Sequence, residues 1–157
     1  MDEAQKPKYY IDLQWYEARN RSFRLVAQGR FCPSCQRKVA AGEQIQERVP
    51  TVDPRTGRVV FELRTVPYGA NPLQVIRTCC SKQRHYITPE TPLREAIFRV
   101  FLANGNQPME AERIREFLGE YINLSDRPHG YSVELIERLI QTDTTYGLRE
   151  FRLAEAA

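Results

Sequence analysis

The sequence lacks several features that would assign it to particular functional classes. No apolar run approaches the roughly 20 residues that a membrane-spanning helix requires, and the opening residues MDEAQKPK have no apolar stretch of the kind found in signal peptides. We therefore expect a cytoplasmic protein. The HExxH motif, a glycine-rich phosphate loop and a Ser/His/Asp grouping are also absent. These absences give catalysis little support, and we expect no enzyme and no small-molecule substrate.

Cysteine is scarce, with four residues in 157. In a reducing cytosol, cysteines more naturally serve as metal ligands, buried apolar groups or redox groups than as structural disulfides. The composition is otherwise that of a folded globular protein, with 41% hydrophobic and 27% charged residues. The chain is long enough to bury one substantial core or two small ones.

The positive charge is concentrated in the middle of the chain. Residues 31–90 carry nine basic and five acidic side chains, whereas residues 91–157 carry eight basic and eleven acidic ones. Nineteen of the 23 basic residues are arginine, whose planar fork suits phosphate and carboxylate. A codon-usage bias of the genome would produce the same excess of arginine. The asymmetry predicts a middle segment that contacts nucleic acid or an acidic protein, and a C-terminal segment that contacts protein.

Residues 1–30 are predicted to form an aromatic helical segment. Asp12 and Ser22 are candidate N-caps of two short helices, the second ending near Gly29. We expect the aromatic residues here to pack on the rest of the protein. Because lysines and arginines lie among them, a base-stacking surface for nucleic acid is the alternative. The aromatic residues concerned are Tyr9, Tyr10, Trp15 and Tyr16.

Residues 31–88 are predicted to contain a β-hairpin followed by a short helix. The turn cluster VDPRTGR separates Ile45–Val49 from the alternating run VVFELRTV. By period-two geometry, Val60, Glu62 and Arg64 face opposite to Val59, Phe61, Leu63 and Thr65. Asn71 is the predicted N-cap of the helix, with Pro72 at its first position. This helix leads directly to Cys79 and Cys80.

Residues 89–157 are predicted to form three helices and a terminal β element. Apolar residues recur at helical spacing from Leu93 to Phe101, from Ile114 to Tyr121 and from Leu135 to Ile140, where Ser132 is the predicted N-cap. The loop NLSDRPHGY precedes the third helix, and the alternation in TTYGLREFRLA predicts a short strand or hairpin.

This succession resembles a winged helix-turn-helix domain over about residues 90–155. The segment LREAIFRVFLANGNQPMEAERIREFLGE is similar to the first two helices of that superfamily, with the short NG turn between them. The resemblance implies nucleic-acid binding through the third helix and the wing. The third helix, however, carries Glu134 and Glu137 beside Arg138, and such an acidic surface is poorly suited to a duplex. We therefore expect this domain to contact protein.

The spacing of Cys32 and Cys35 in FCPSC lets two thiolates bind one metal ion from a tight turn, and it resembles the knuckles of zinc ribbons. Those families usually place glycine after the second cysteine, where this chain has Gln36. Cys79 and Cys80 are adjacent, which on a regular strand would point them to opposite faces.

Three arrangements of the second pair stay open. Both cysteines bind with the first pair, or one binds while His85 completes the site, or one is a small buried apolar residue. A structural zinc ion is the favoured interpretation. A redox CxxC motif and plain buried or oxidisable thiols are the alternatives.

Together these patterns predict an α+β protein with a zinc-stapled β-hairpin unit and a C-terminal winged-helix-like domain. The predicted function is a zinc-binding adaptor or accessory protein of transcription or translation machinery. Five basic residues near the cysteines are expected to contact nucleic acid or an acidic partner: Arg37, Lys38, Arg77, Lys82 and Arg84.

Two other functions are alternatives. A DNA-binding transcriptional regulator would use Arg138, Arg149 and Arg152. A metal-dependent nuclease would use Asp53 and Glu62 with Arg64, although arginine stays protonated and does not easily replace the lysine of such sites.

Overall fold

The computed structural model describes residues 6–122 and 131–152, which form an α+β structure. In chain order its elements are β1 (Lys8–Ile11), α1 (Leu13–Ala18), α2 (Phe23–Gln28), α3 (Pro33–Ala40), β2 (Gln44–Val52), β3 (Val59–Pro67), α4 (Pro72–Thr78), a 3-10 turn (Cys80–Lys82), α5 (Leu93–Ala103), β4 (Met109–Glu110), α6 (Ala111–Tyr121), α7 (Val133–Gln141) and β5 (Leu148–Phe151). This confirms the predicted fold class.

Four helices begin at the polar residues that the sequence predicted as N-caps. In each case the side-chain oxygen accepts a hydrogen bond from a backbone N–H two or three residues further along the chain, which satisfies one of the free donors of the first turn. These N-caps are Asp12, Ser22, Asn71 and Ser132.

The N-terminal segment is not wholly helical, because it begins with strand β1. This strand lies in the middle of a three-stranded antiparallel sheet with the order β4-β1-β5. Tyr9 is opposite Met109 on one side and Glu150 on the other. The sheet therefore joins the first predicted segment to the third.

The core contains the apolar faces of α5, α6 and α7 together with residues of β1 and α1. Tyr9, Trp15 and Tyr16 are buried and Tyr10 is half-buried, which confirms the predicted packing of the N-terminal aromatics. None of the helices in the described residues is long and apolar enough to cross a membrane.

The three C-terminal helices and a terminal strand occur where the sequence predicted them. Strand β5 pairs with β1. The predicted loop falls mainly on residues 123–130, outside the described part of the chain. A winged-helix identity for this part of the chain stays a prediction.

The predicted hairpin is confirmed by nine consecutive residue pairs between β2 and β3, from Gln44 opposite Pro67 to Val52 opposite Val59. Its turn is closed by a hydrogen bond from the N–H of Asp53 to the carbonyl of Arg58 at 2.9 Å. Most side chains of both strands are exposed. The hairpin therefore contributes little to the core.

Candidate metal centre

The first cysteine pair lies at the start of helix α3. Cys32 occupies the N-cap position, Pro33 is the first helical residue, and Cys35 is buried in the first turn. Residues three apart on a helix share a face, so both sulfurs point the same way. Gln36 stands where zinc ribbons usually have glycine because the chain continues here as a helix, and its side-chain amide donates to the carbonyl of Phe31 at 3.0 Å.

The second pair lies where α4 ends. Cys79 has φ −132° and ψ −67°, which interrupts the helix before Cys80 begins the 3-10 turn. The backbone here is not a regular strand, so the side chains of adjacent residues need not point to opposite faces. This bend brings Cys79 and Cys80 to the same site.

All four sulfur atoms lie within 4.8 Å of one another, and the Sγ atoms of Cys35 and Cys79 are 3.6 Å apart. A tetrahedral ion with metal–sulfur bonds of about 2.3 Å separates its sulfurs by about 3.8 Å. All four cysteines are free of disulfide bonds. The arrangement can therefore hold a metal ion.

Three hydrogen bonds reach the sulfurs from the surrounding structure, and the longest runs from the side-chain amide of Gln83 to Sγ of Cys79 at 3.9 Å. The backbone N–H of Cys32 donates to Sγ of Cys80 at 3.2 Å. The hydroxyl of Tyr68 lies 3.1 Å from Sγ of Cys35. Hydrogen bonds of this kind orient metal ligands and stabilise the thiolate form. Tyr68 was missed by the sequence analysis, because nothing in the local pattern marks a contact between residues 33 positions apart.

The pKa values of the cysteines in the four-sulfur group are shifted in different directions. Burial raises the pKa of Cys80 and of Cys79. Burial also acts to raise the pKa of Cys32, but hydrogen bonds from the backbone of Cys35 and from the neighbouring thiols outweigh it, so the pKa of Cys32 is lowered. The hydrogen bond with Cys35, together with burial, raises the pKa of Tyr68, which keeps its hydroxyl protonated.

His85 lies outside the four-sulfur group. Its side chain is exposed and lines a cavity of about 260 Å³ together with Cys32 and Cys80. The structure thus brings all four cysteines together, and His85 is not part of that group. Within residues 6–122 and 131–152, no other group of three or more His, Cys, Asp or Glu side chains is arranged to hold an ion.

The predicted contact residues surround this site. Arg37 and Lys38 lie on α3, Arg77 lies in the last turn of α4, and Lys82 and Arg84 lie in and just after the 3-10 turn. All of them are exposed except the half-buried Lys38, whose ammonium lies 5.1 Å from the ring centre of Tyr68.

The positive charge of residues 31–90 is not neutralised within the described part of the chain. Every ion pair found there joins residues outside 31–90. The nine basic side chains of this segment therefore have no ion-pair partner among the described residues.

The residues that a nuclease would use lie in the turn of the hairpin and on β3. The carboxylate of Asp53 accepts the N–H of Arg55 at 2.9 Å within the hairpin turn. Glu62 and Arg64 are exposed on the same face of β3.

The arginines that a DNA-binding regulator would use lie on α7, on β5 and just after β5. Arg138 lies in the last turn of α7. Arg149 pairs with Asp12 at 3.9 Å, and Arg152 pairs with Glu150 at 3.5 Å.

Comparison with protein-family models, with curated proteins and with solved structures found no significant match for this chain.

Proposed function

We propose that this protein is a non-catalytic zinc-binding adaptor or accessory protein of transcription or translation machinery. The observation that carries the proposal is the convergence of four cysteine sulfurs from two separate helix ends within 4.8 Å. Four soft thiolate ligands in tetrahedral reach are typical of a structural zinc ion. With all four positions filled by protein, such an ion has no open position for water or substrate.

The zinc ion would act as a staple at the base of the hairpin. Cys32 and Cys35 precede β2, and Cys79 and Cys80 follow the helix after β3, so one ion would tie together the two ends of a segment with few buried residues. Small units that bury little apolar surface commonly depend on a metal ion for stability.

The charge distribution supports an adaptor role. The segment around the cysteines carries nine basic side chains without ion pairs in the described part of the chain, whereas the helical segment is net acidic. We propose that the basic segment contacts nucleic acid or an acidic protein surface. The acidic helical segment would contact a second protein.

Metal analysis of the purified chain tests the zinc site. We expect about one zinc ion per chain, as in other four-cysteine sites. Cys79→Ser and Cys80→Ser should each lose most of the zinc, because each removes one of four ligands. His85→Ala should keep it, because the imidazole lies outside the sulfur group.

Circular dichroism of the same three variants shows whether they are folded. A wild-type chain purified without zinc would contradict the proposal. Loss of zinc in His85→Ala, with no loss in one of the cysteine variants, would instead support the mixed ligand set.

A further inference from the structure

The cavity of about 260 Å³ beside the cysteines lies mainly between two segments of the chain. One segment is residues 30–33 at the start of α3, and the other is residues 80–86 after α4. The backbone N–H of Cys32 donates to Sγ of Cys80 at 3.2 Å, which joins the two segments. The lining includes buried side chains, such as Tyr86, and exposed ones, such as Arg84. The cavity is therefore open to solvent.

The lining of this cavity carries an excess of positive charge. Arg30, Arg84 and Arg99 line it, and none of the Asp or Glu residues in the described part of the chain does. Arg30 and Arg99 both bind the carboxylate of Glu95. Three guanidinium groups are therefore balanced by one carboxylate, and two positive charges remain.

Glu95 cannot balance the remaining charge. Its carboxylate already accepts two hydrogen bonds from Arg30, one from Arg99 and one from the hydroxyl of Tyr146. The side chains of Arg30 and Arg99 are only 22% and 25% exposed. Because a partly buried charge without a partner is costly, the excess positive charge favours an anion in the cavity.

Hydrogen-bond donors at the cavity are not all used within the protein. The Nε atom of Arg99 donates to Glu95 at 2.7 Å and its Nη1 atom donates to the carbonyl of Tyr86 at 2.8 Å, whereas its Nη2 atom has no partner among the described residues. The first two bonds hold the guanidinium in place before a ligand binds, which lowers the entropic cost of binding. The exposed side chains of Arg84 and His85 also have no hydrogen bond or ion pair within residues 6–122 and 131–152. An oxyanion in the cavity would satisfy these donors.

The thiolates of the metal centre have basic neighbours of their own. One zinc ion with four thiolates would carry two negative charges, and Cys32 and Cys80 belong both to the metal centre and to the lining of the cavity. Four other basic residues lie on the helices and the turn that carry the cysteines, and none of them lines the cavity: Arg37, Lys38, Arg77 and Lys82. The guanidinium groups of the cavity are therefore not needed to balance a bound zinc ion.

We propose that this cavity binds a phosphate monoester, with the phosphate group on Arg84 and Arg99 and the organic part against Phe31 and Pro33. At pH 7 a phosphate monoester carries about 1.5 to 2 negative charges, which matches the two unbalanced positive charges. A carboxylate or a phosphodiester carries a single charge. The planar fork of arginine suits phosphate. The volume is close to the roughly 300 Å³ of the smallest ligand pockets, so the organic part is small.

This chemistry has two sources, a free small molecule or the 5′ end of a nucleic-acid strand. The first source is independent of the proposed adaptor function. The second rests on that function, because the rest of the strand would lie along the basic residues around the metal centre. In both cases the phosphate group is bound and no reaction takes place.

Isothermal titration calorimetry of the full chain with phenyl phosphate tests the cavity. We expect a dissociation constant of about 0.1–1 mM, as for a small ligand held mainly by one charged group. Phenyl sulfate has nearly the same shape but a single negative charge. It should therefore bind about 10-fold more weakly.

Arg84→Gln should weaken the binding of phenyl phosphate about 10-fold or more, because it removes a charged donor from the phosphate group. Lys82→Gln is the matched control, since Lys82 is also exposed and lies close in the chain but does not line the cavity. It should change the affinity less than about two-fold. Both side chains are exposed, so both variants should fold, and circular dichroism checks that they do.

Nuclear magnetic resonance locates the bound phosphate group. Phenyl phosphate should shift the backbone amide signals of Cys32, Arg84 and His85 more than those of the hairpin turn, where Arg55 and Arg58 are also exposed. Larger shifts in the hairpin turn would contradict the proposed location.

Uridine monophosphate and an oligouridine, with and without a 5′ phosphate, distinguish the two sources. A strand end is the source if the 5′ phosphate raises the affinity of the oligouridine above that of uridine monophosphate and Arg84→Gln removes the gain. Otherwise the source is a free small molecule.

Three further results would overturn the proposal. The first is no binding of phenyl phosphate at concentrations up to about 10 mM. The second is equal weakening by Arg84→Gln and Lys82→Gln, which would indicate a general effect of positive charge. The third is equal affinity for phenyl phosphate and phenyl sulfate. Zinc is measured in the same preparation, because a chain without zinc that binds phenyl phosphate would contradict the proposed function and leave this site intact.

Discussion

Gly69 shows how one residue connects the hairpin to the helices that carry the cysteines. Its φ of +88° is in the left-handed region that favours glycine. A Cβ atom there would lie 3.0 Å from Cε2 of Phe31 and 3.2 Å from Cγ2 of Val39, and its carbonyl accepts a hydrogen bond from Gln28 at 2.9 Å. Gly69 therefore allows both the backbone turn and the close packing.

We predict that Gly69→Ala lowers the free energy of unfolding by about 2–4 kcal/mol, through left-handed strain and overpacking together. Urea unfolding followed by circular dichroism measures this loss. Gly57→Ala is the matched control, because φ is +72° but no atom lies within 4 Å of the added Cβ. Equal losses in the two variants would show that packing against Phe31 and Val39 is unimportant.

At the scale of elements, strand β1 is held in the sheet by a side chain from the turn after α5. The Oδ1 atom of Asn106 accepts the backbone N–H of Ile11 at 2.8 Å, and its Nδ2 donates to the carbonyl of Ile11 at 2.9 Å. Ile11 is fully buried. Loss of the amide would leave two backbone groups of a buried residue without their partners, which is costly.

Asn106→Ala is expected to destabilise the protein by about 2–4 kcal/mol and to speed hydrogen exchange in β1 more than in α7. Asn20→Ala serves as the control, because Asn106 and Asn20 both have a positive φ, of 59° and 54°, but Asn20 is exposed. Its replacement should cost only about 1 kcal/mol in backbone strain. Similar exchange rates for β1 in the two variants would mean that Asn106 does not hold the strand.

At the scale of the whole molecule, Glu95 joins distant parts of the chain. Its carboxylate accepts hydrogen bonds from Arg30 at 2.8 and 2.9 Å, from Arg99 at 2.7 Å and from the hydroxyl of Tyr146 at 2.8 Å. Burial acts to raise the pKa of Glu95, but the hydrogen bonds from the two guanidinium groups outweigh it and lower the pKa from 4.5 to about 2. The ionised carboxylate is thus stabilised in the folded state.

This lowered pKa predicts a loss of stability in acid. The stabilisation by Glu95 is fully present above the unfolded pKa of about 4.5 and is lost as the pH falls from there to about 2. Its size is about 3 kcal/mol. Glu95→Gln should therefore reduce the difference between the unfolding free energies at pH 6 and pH 3, as measured by urea unfolding.

Glu116→Gln provides the comparison, because Glu116 and Arg113 form an exposed surface pair whose loss should change stability by less than about 1 kcal/mol. If the unfolding free energies of the wild type and of Glu95→Gln changed equally between pH 6 and pH 3, Glu95 would have no role in acid stability.

The correct sequence predictions concern features that depend on neighbouring residues. The caps at Asp12, Ser22, Asn71 and Ser132 were predictable because each bond forms within one helical turn. The alternation around Phe61 and the turn at Asp53 likewise identified the hairpin and predicted which side chains of β3 share a face. The two cysteine pairs indicated a shared site because two thiolates separated by two residues, as in Cys32 and Cys35, can bind one metal ion from a tight turn.

The features that the sequence did not reveal depend on contacts between residues far apart in the chain. Strand β1 is only four residues long, and its partners follow about a hundred or more residues later, so no local pattern could reveal it. The same holds for the hydroxyl of Tyr68 at Cys35 and for Arg30 and Tyr146 at Glu95. Whether the apolar side of the hairpin would be buried or exposed also depended on what the rest of the chain placed beside it. Local propensity acts over a turn of helix or a pair of strand residues, whereas these features arise from packing of the whole chain.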